Sequence, residues 1–291
     1  SVKDRAARAI VLDAERRALL RPGGTVVEGT AGNTGIGLAL VCNSRGYRCL
    51  IVMPDNQSPE KYALMEAMGA QVQRVPPVPY SDPNHYQRVA RRLAEELADG
   101  YWANQFDNVE NRRAHFETTG PEIWEQTGGR IDAFVSASGT GGTLAGVAAY
   151  LKSRNPAVRT VLADPPGSAL YEYIRSGVPR VTGSGSITEG IGIGRVTANM
   201  QDAPVDDALH VTDAEAVSWV YRLLREEGLF VSSTSGVNVA AAVRFAQQLG
   251  PGHVVVTVLC DSGAKYLSRL FNREWLAQKG LLEAAEAGAA A

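Results

Sequence analysis

The feature that most constrains the fold is the alternation of two apolar patterns along the chain. Short apolar runs at residues 25–28, 133–136 and 254–259 are too short for helices, and each predicts a buried strand. Longer segments between such runs, for example residues 86–97, carry apolar residues at helical spacing. Strands that alternate with helices form parallel sheets covered on both faces, so the sequence predicts an α/β protein.

The same series of strands and helices predicts two domains. A break near residues 107–109 would separate a smaller N-terminal α/β domain, residues 1–107, from a larger C-terminal domain, residues 108–291. The tail at residues 281–291 is rich in alanine and glutamate and has little to bury. It is therefore expected to fray.

Composition excludes several classes of function. Basic and acidic residues nearly cancel, 29 against 31, so there is no electrostatic reason to expect a nucleic acid or an acidic membrane as partner. No apolar run reaches the roughly 20 residues that span a bilayer. The cysteines, Cys42, Cys49 and Cys260, are too scattered for a disulfide framework or a metal site, and their odd number suits a reduced cytosol.

Glycine is over-represented, with 30 residues in 291, about 10% against the roughly 7% that is usual. Most of the excess lies in loops that follow predicted strands, where ligands of open α/β sheets bind. The loop at residues 139–143 combines three glycines with two threonines at a helix start, a pattern that favours a phosphate held by neutral donors. A plain strand-to-helix turn is the alternative.

A second loop, residues 30–34, places hydroxyl, amide and backbone N–H groups at another helix start. It could hold a carboxylate by the same physics, or Asn33 or Thr34 could simply cap the helix. A dinucleotide site is disfavoured because Leu144 occupies the third glycine position of the motif that begins at Gly139. The chain also has no G-K-[ST] sequence, which excludes a Walker A loop.

Four segments together resemble, in order and at family spacing, the motifs of fold-type II pyridoxal-phosphate enzymes. They are residues 1–5 (SVKDR), 30–35 (TAGNTG), 139–143 (GTGGT) and 261–268 (DSGAKYLS). The chain is most similar to the cysteine synthase (O-acetylserine sulfhydrylase) and cystathionine β-synthase family. This resemblance implies two domains, each a mostly parallel sheet flanked by helices, and pyridoxal 5′-phosphate as cofactor.

The resemblance also implies roles for individual residues. Lys3 would be the catalytic residue, which forms the Schiff base with the cofactor and takes the α-proton of the substrate. The other cofactor-binding residues would be Asn33, Gly139, Thr140, Gly141, Gly142, Thr143 and Thr234. The substrate would be bound by Thr30, Ala31, Gly32, Thr34, Gln105 and Gly190.

The implied reaction is a β-replacement that makes L-cysteine from O-acetylserine and sulfide through an aminoacrylate intermediate. A hydroxyl such as that of Thr234 beside the pyridine nitrogen suits this chemistry, because it leaves the ring a weaker electron sink than a carboxylate would. Cystathionine β-synthase activity on serine and homocysteine, or another β-elimination or β-replacement, remains an alternative. So does an inactive ligand-binding relative. The resemblance further implies a cytoplasmic homodimer that acts on an amino acid and on sulfide or a thiol.

The remaining polar residues give weaker signals. The histidines, His85, His115, His210 and His253, are dispersed without ligand spacing and are expected at the surface or at helix caps. Three lysines, Lys61, Lys152 and Lys279, are expected at the surface. Members of the family have a few dozen residues before the lysine that corresponds to Lys3, so residues upstream of Ser1 are expected.

Overall fold

The computed structural model describes residues 1–30 and 32–290, and the chain divides into two compact units. The first comprises Ser1–Asn111, and the second begins at Arg112. The elements of the first unit are α1 Lys3–Arg16, β1 Thr25–Gly29, α2 Asn33–Arg45, β2 Arg48–Pro54, α3 Pro59–Ala67, β3 Gln71–Val75, α4 Tyr86–Glu96 and β4 Gly100–Trp102, followed by α5 Glu110–Ala114, which crosses the boundary.

The strands of the first unit form a parallel sheet in the order β3-β2-β1-β4. All of β1 is buried, including Thr25 and Glu28, as expected for a strand covered on both faces. Helix α1 packs against α2, and the two helices cover one face of the sheet with apolar side chains such as Ile10 and Leu38. Helix α4 lies on β1 with a second, smaller apolar cluster around Val27 and Val89.

The second unit repeats this plan with a parallel sheet in the order β7-β6-β5-β8. Its elements are a π-helical turn His115–Thr119, α6 Gly120–Gln126, β5 Ala133–Ala137, α7 Gly142–Arg154, β6 Arg159–Asp164, α8 Leu170–Ser176, β7 Asp207–His210, α9 Asp213–Glu226, α10 Ser233–Leu249, β8 Val255–Thr257, a 3₁₀ turn Gly263–Tyr266, α11 Arg273–Gln278 and α12 Leu282–Ala290. Apolar clusters fill the space between the sheet and the helices that cover its two faces. The predicted α/β class with two parallel sheets flanked by helices is confirmed.

Several boundaries differ from those predicted. The helical pattern predicts a helix over residues 237–249, but α10 begins at Ser233 with Ser232 as its cap, so that Thr234 lies in its first turn. Strand β8 covers Val255–Thr257 and is shorter than the predicted run at 254–259. Strands β4, which has three residues, and β7, which has four, are not among the strands that the sequence predicts.

The expectation that the C-terminal tail frays is wrong for the described residues. Helix α12 packs on α9, and Ala285 is buried in an apolar cluster with Leu270 and Leu276. Alanine at helical spacing supplies enough apolar surface for a helix that meets a close neighbour. In the described ranges, no helix has both the length and the apolar character needed to cross a membrane.

Candidate active site

The substrate loop predicted from sequence lies at the carboxyl end of β1, where the chain turns into α2. Thr30 is buried and its Oγ1 accepts a hydrogen bond from the Gly32 N–H over 3.2 Å. Asn33 is the first residue of α2, and buried Thr34 follows it. Backbone N–H groups and the positive end of the helix dipole are thus available to an anion here. The predicted residue Ala31 lies outside the described residues.

Gln105 joins this loop from the segment after β4. Its Oε1 accepts the hydroxyl proton of Thr34, and its Nε2 donates to Gly29 O over 3.3 Å. The structure therefore brings together four of the predicted substrate residues at the end of one strand: Thr30, Gly32, Thr34 and Gln105.

Glu28 is a residue that the sequence reasoning did not single out. Its carboxyl accepts hydrogen bonds from the Gln105 N–H over 3.2 Å and from Gln105 Nε2 over 3.4 Å. Glu28 is fully buried, and this burial raises its pKa from 4.5 to about 8. A carboxyl residue at the end of an otherwise apolar strand was the available sequence signal.

Lys3 begins α1, the helix that packs on α2. The next residue, Asp4, lies against Gly37, one turn of α2 beyond Asn33; a Cβ on Gly37 would lie 3.1 Å from Asp4 Oδ1. Lys3 and Asn33 are thus carried by the first turns of two helices that contact each other within the first unit.

The expectation that Lys61 is a surface residue is wrong. Its side chain is only 2% exposed and lies against Gly32; a Cβ there would be 2.8 Å from Lys61 Cδ and 3.2 Å from Nζ. Lys61 lies in the first turn of α3, and its side chain faces Gly32 in the 30–34 loop. A cation is therefore placed beside the predicted carboxylate loop, which residue spacing alone could not reveal.

In the second unit, the 139–143 loop connects the carboxyl end of β5 to α7. Gly141 has a φ of +92°, which favours glycine, and its Cα faces Met200 so closely that a Cβ would lie 2.3 Å from Met200 Cγ. Thr140 and Thr143 are both buried. The loop also meets Gly190, because a Cβ on Gly139 would lie 2.0 Å from Gly190 O.

The residues at this loop fit a phosphate group. Ser138, directly before the loop, has a buried Oγ with no hydrogen-bond partner among the described residues. An orphaned hydroxyl in a water-excluded position is costly unless a ligand completes it. Together with the glycine N–H groups at the start of α7, it forms a cradle of neutral donors without a lysine or arginine in the loop.

Thr234 lies near the same end of the sheet. It is 8% exposed in the first turn of α10. One turn later, Asn238 Oδ1 accepts the Ala137 N–H over 2.6 Å, and Asn238 Nδ2 donates to Val258 O over 2.7 Å. These bonds attach α10 to the ends of β5 and β8 and so fix Thr234 beside the strand that leads into the 139–143 loop.

The C-terminal signature supports that placement. Val231 forms a bridge with Ser262, and the Ser232 N–H donates to Asp261 O over 3.2 Å. Asp261 Oδ2 in turn accepts from Tyr266 Oη and pairs with Lys265 Nζ over 3.4 Å. The 261–268 motif therefore orders the entry to α10, and Lys265 has a structural partner.

The four histidines differ in their surroundings. His115 is 1% exposed, so its expected surface position is wrong. His85 caps α4 through its Nδ1, as one of the two expectations had it. His210 stacks on Tyr171 at 3.8 Å between ring centroids, and His253 is exposed.

Parallel sheets with a cation-free anion cradle at a strand end place the chain among the α/β proteins that hold a phosphorylated ligand. More particularly, the chain belongs to the pyridoxal-phosphate dependent enzymes, because the model of that family matches residues 1–261. The resemblance found in the sequence, the cofactor and the enzymatic nature of the chain are thereby confirmed.

Relatives and solved structures agree with this assignment. The chain is 56% identical to cysteine synthase 1 of Neurospora crassa, over 98% of this chain and 77% of the relative. It is 54% identical to cysteine synthase 1 of Emericella nidulans, over 98% of this chain and 78% of the relative. The crystal structure of an O-ureido-L-serine synthase superimposes with a TM-score of 0.85 and 37% identity, covering 95% of this chain and 87% of that one.

Proposed function

We propose that the chain is a cysteine synthase, which makes L-cysteine from O-acetylserine and sulfide by β-replacement. The observation that carries the proposal is the 54–56% identity to two curated cysteine synthases over nearly the whole chain. The loops described above would supply the residues that bind the substrate and the cofactor.

The substrate carboxylate is assigned to the first unit. The Thr30 and Thr34 hydroxyls, the Gly32 N–H, the Gln105 amide and Ala31 would bind it at the N-terminus of α2, and Gly190 would line the pocket in the second unit. The helix dipole and the N–H groups favour an anion there, and the Lys61 charge beside Gly32 adds to this attraction. This binding orients the substrate so that one face of its Cα is presented for proton removal.

The cofactor is assigned to the 139–143 loop for its phosphate, to Asn33 for its phenolic oxygen and to Thr234 for its pyridine nitrogen. When bound, pyridoxal phosphate withdraws electrons from the substrate Cα and so acidifies its proton. Thr234 offers a neutral hydroxyl to the ring nitrogen, and this favours elimination from Cβ over transamination.

Lys3 is assigned the proton transfer. Its Nζ would hold the cofactor covalently at rest and would take the proton from the substrate Cα once the substrate has displaced it. Acetate would leave from Cβ, sulfide would add at the same carbon, and Lys3 Nζ would return the proton to Cα to complete the replacement.

The test uses the purified holoenzyme with O-acetylserine, O-phosphoserine or serine as donor, each with sulfide and with homocysteine. We expect cysteine from O-acetylserine and sulfide at the highest kcat/KM. The Lys3→Ala variant should lose at least about 10³ of that activity, as expected when a covalent and acid–base residue is removed. Faster formation of cystathionine from serine and homocysteine would contradict the proposal.

We further propose that the enzyme is a cytoplasmic homodimer, since the family resemblance implies this state. Sedimentation equilibrium of the holoenzyme should give twice the 31.0 kDa mass of the chain. A monomer at micromolar concentration would contradict the dimer.

A further inference from the structure

His115 connects a π-helical turn to the 139–143 loop. Its Nδ1 lies 2.8 Å from Thr119 Oγ1, and its Nε2 lies 3.2 Å from Thr143 Oγ1. The ring is 1% exposed, and all three residues belong to the second unit. Both ring nitrogens are thus engaged by hydroxyls in a place where water has little access.

The backbone holds this arrangement tightly. The π-helical turn His115–Thr119 packs on α7, one turn beyond Thr143. A Cβ on Gly146 would lie 2.3 Å from Arg112 O and 2.8 Å from His115 Cβ, so glycine is needed for this approach. π-helical turns occur often at functional positions, because the extra residue redirects a side chain.

The direction of the two hydrogen bonds has a chemical consequence. A hydroxyl has one proton to donate and two lone pairs to accept with. If Nε2 accepted from Thr143, the Thr143 proton would be committed to the ring. If Nε2–H donates to Thr143 Oγ1, the Thr143 proton stays available to a phosphate oxygen.

The composition of the loop favours the second direction. Residues 139–143 contain no cationic side chain, so a bound phosphate must be held by N–H and O–H donors. Each hydroxyl proton of the loop is therefore needed for binding the phosphate. When Nε2 carries the ring proton, Nδ1 is an acceptor, and the Thr119 hydroxyl can donate a hydrogen bond to it.

We propose that His115 is a positioning residue: its Nε2–H donates to Thr143 Oγ1 and thereby directs the Thr143 hydroxyl proton to the 5′-phosphate of the cofactor. The proposal rests on the assignment of the 139–143 loop to that phosphate. His115 itself touches neither the cofactor nor the substrate in this scheme.

The first test is spectroscopic and needs no variant. In holoenzyme with ¹⁵N-labelled histidine, the proton-coupled nitrogen of His115 should be Nε2, identified by its loss in His115→Gln. An unprotonated Nε2 would overturn the proposal.

The second test is a double-mutant cycle on cofactor affinity. His115→Leu should weaken binding of pyridoxal phosphate to the apoenzyme by roughly tenfold, as for loss of one hydrogen bond to a charged group, and should shift the ³¹P resonance of the bound cofactor. His115→Gln, which can place an amide N–H near the Nε2 position, should restore affinity to within about threefold. In a Thr143→Val background, His115→Leu should add little, because the hydroxyl through which it acts is gone.

The outcomes separate this inference from the proposed function. Additive effects of His115→Leu and Thr143→Val would overturn the inference, and so would loss of affinity in His115→Leu that His115→Gln does not recover. If Thr143→Val leaves cofactor affinity unchanged, the phosphate assignment of the loop fails instead. Should His115→Leu not fold, Thr119→Val removes the donor to Nδ1 and must shift the same ³¹P and ¹⁵N signals for the inference to stand.

Discussion

At the residue scale, the most informative groups are buried polar side chains beside the loops. Glu28, Lys61 and His115 are each less than 3% exposed, and each contacts a segment that carries a motif. Burying such groups costs free energy unless hydrogen bonds or charges compensate, so their retention indicates a role in shaping the site.

Glu28 makes stability depend on pH. Because its pKa is about 8 in the folded protein against about 4.5 for an exposed glutamate, folding takes up a proton between these values. The contribution is most favourable below pH 4.5 and is lost as the pH rises through 8. The free energy of unfolding of Glu28→Gln, taken relative to that of wild type, should therefore rise with pH by about 1.4 kcal/mol per pH unit between these two pKa values.

Urea unfolding of both proteins at pH 5, 6.5 and 8 measures that difference. A constant difference between Glu28→Gln and wild type across the three pH values would show that Glu28 does not titrate in this range.

Lys61 should assist substrate binding through its charge. A cation beside Gly32 attracts the substrate carboxylate, so Lys61→Met should raise KM for O-acetylserine by about tenfold with kcat little changed. Steady-state kinetics at low and moderate salt measures the effect. Lys152→Met is the control and should leave KM unchanged, because Lys152 pairs with Asp206 in the second unit, whereas Lys61 lies in the first.

At the element scale, function depends on where a strand ends and a helix begins. The 30–34 loop follows β1, and the 139–143 loop follows β5. Both strands are buried along their whole length. In a parallel sheet the carboxyl ends of the strands lie at one edge, so residues distant in sequence, such as Ala137 and Asn238, meet there.

Gly141 is the residue on which the 139–143 loop depends most. Gly141→Ala combines an unfavourable φ of +92° with a contact to Met200, and it should cost about 1–3 kcal/mol and weaken cofactor binding. Gly250→Ala is a matched control, since Gly250 has a φ of +86° and open space around its Cα at the end of α10. Both variants are measured by thermal unfolding and by titration of the apoenzyme with pyridoxal phosphate. Equal loss of cofactor affinity in the two would contradict a specific role of the loop.

At the scale of the whole molecule, each unit has its own sheet and its own apolar core. Clusters around Ile51 and Val52 serve the first unit, and clusters around Val135, Phe134 and Tyr266 serve the second. A ligand that binds the folded chain and not the unfolded one should raise the free energy of unfolding.

Pyridoxal phosphate should stabilise the wild-type chain by about 2.7 kcal/mol at a free concentration of 100 times its Kd. Differential scanning calorimetry of the apoenzyme with and without cofactor should show a Tm higher by several degrees. Lys3→Ala should show a smaller shift, because the covalent part of the interaction is lost. A Tm of wild type that is insensitive to the cofactor would contradict the assigned cofactor residues.

The sequence by itself determined the α/β class, the positions of the glycine loops and the family, because strand and helix periodicities and motif spacing are local properties of the chain. It could not show that Lys61 is buried against Gly32, that Glu28 holds Gln105, or that His115 reaches Thr143. The two partners of each contact are separated by between 28 and 77 positions along the chain. Only the packing of helices on the sheets decides which polar side chains are buried together. Desolvation of a polar side chain depends on which elements pack around it, and this is a property of the tertiary structure that residue type and spacing do not carry.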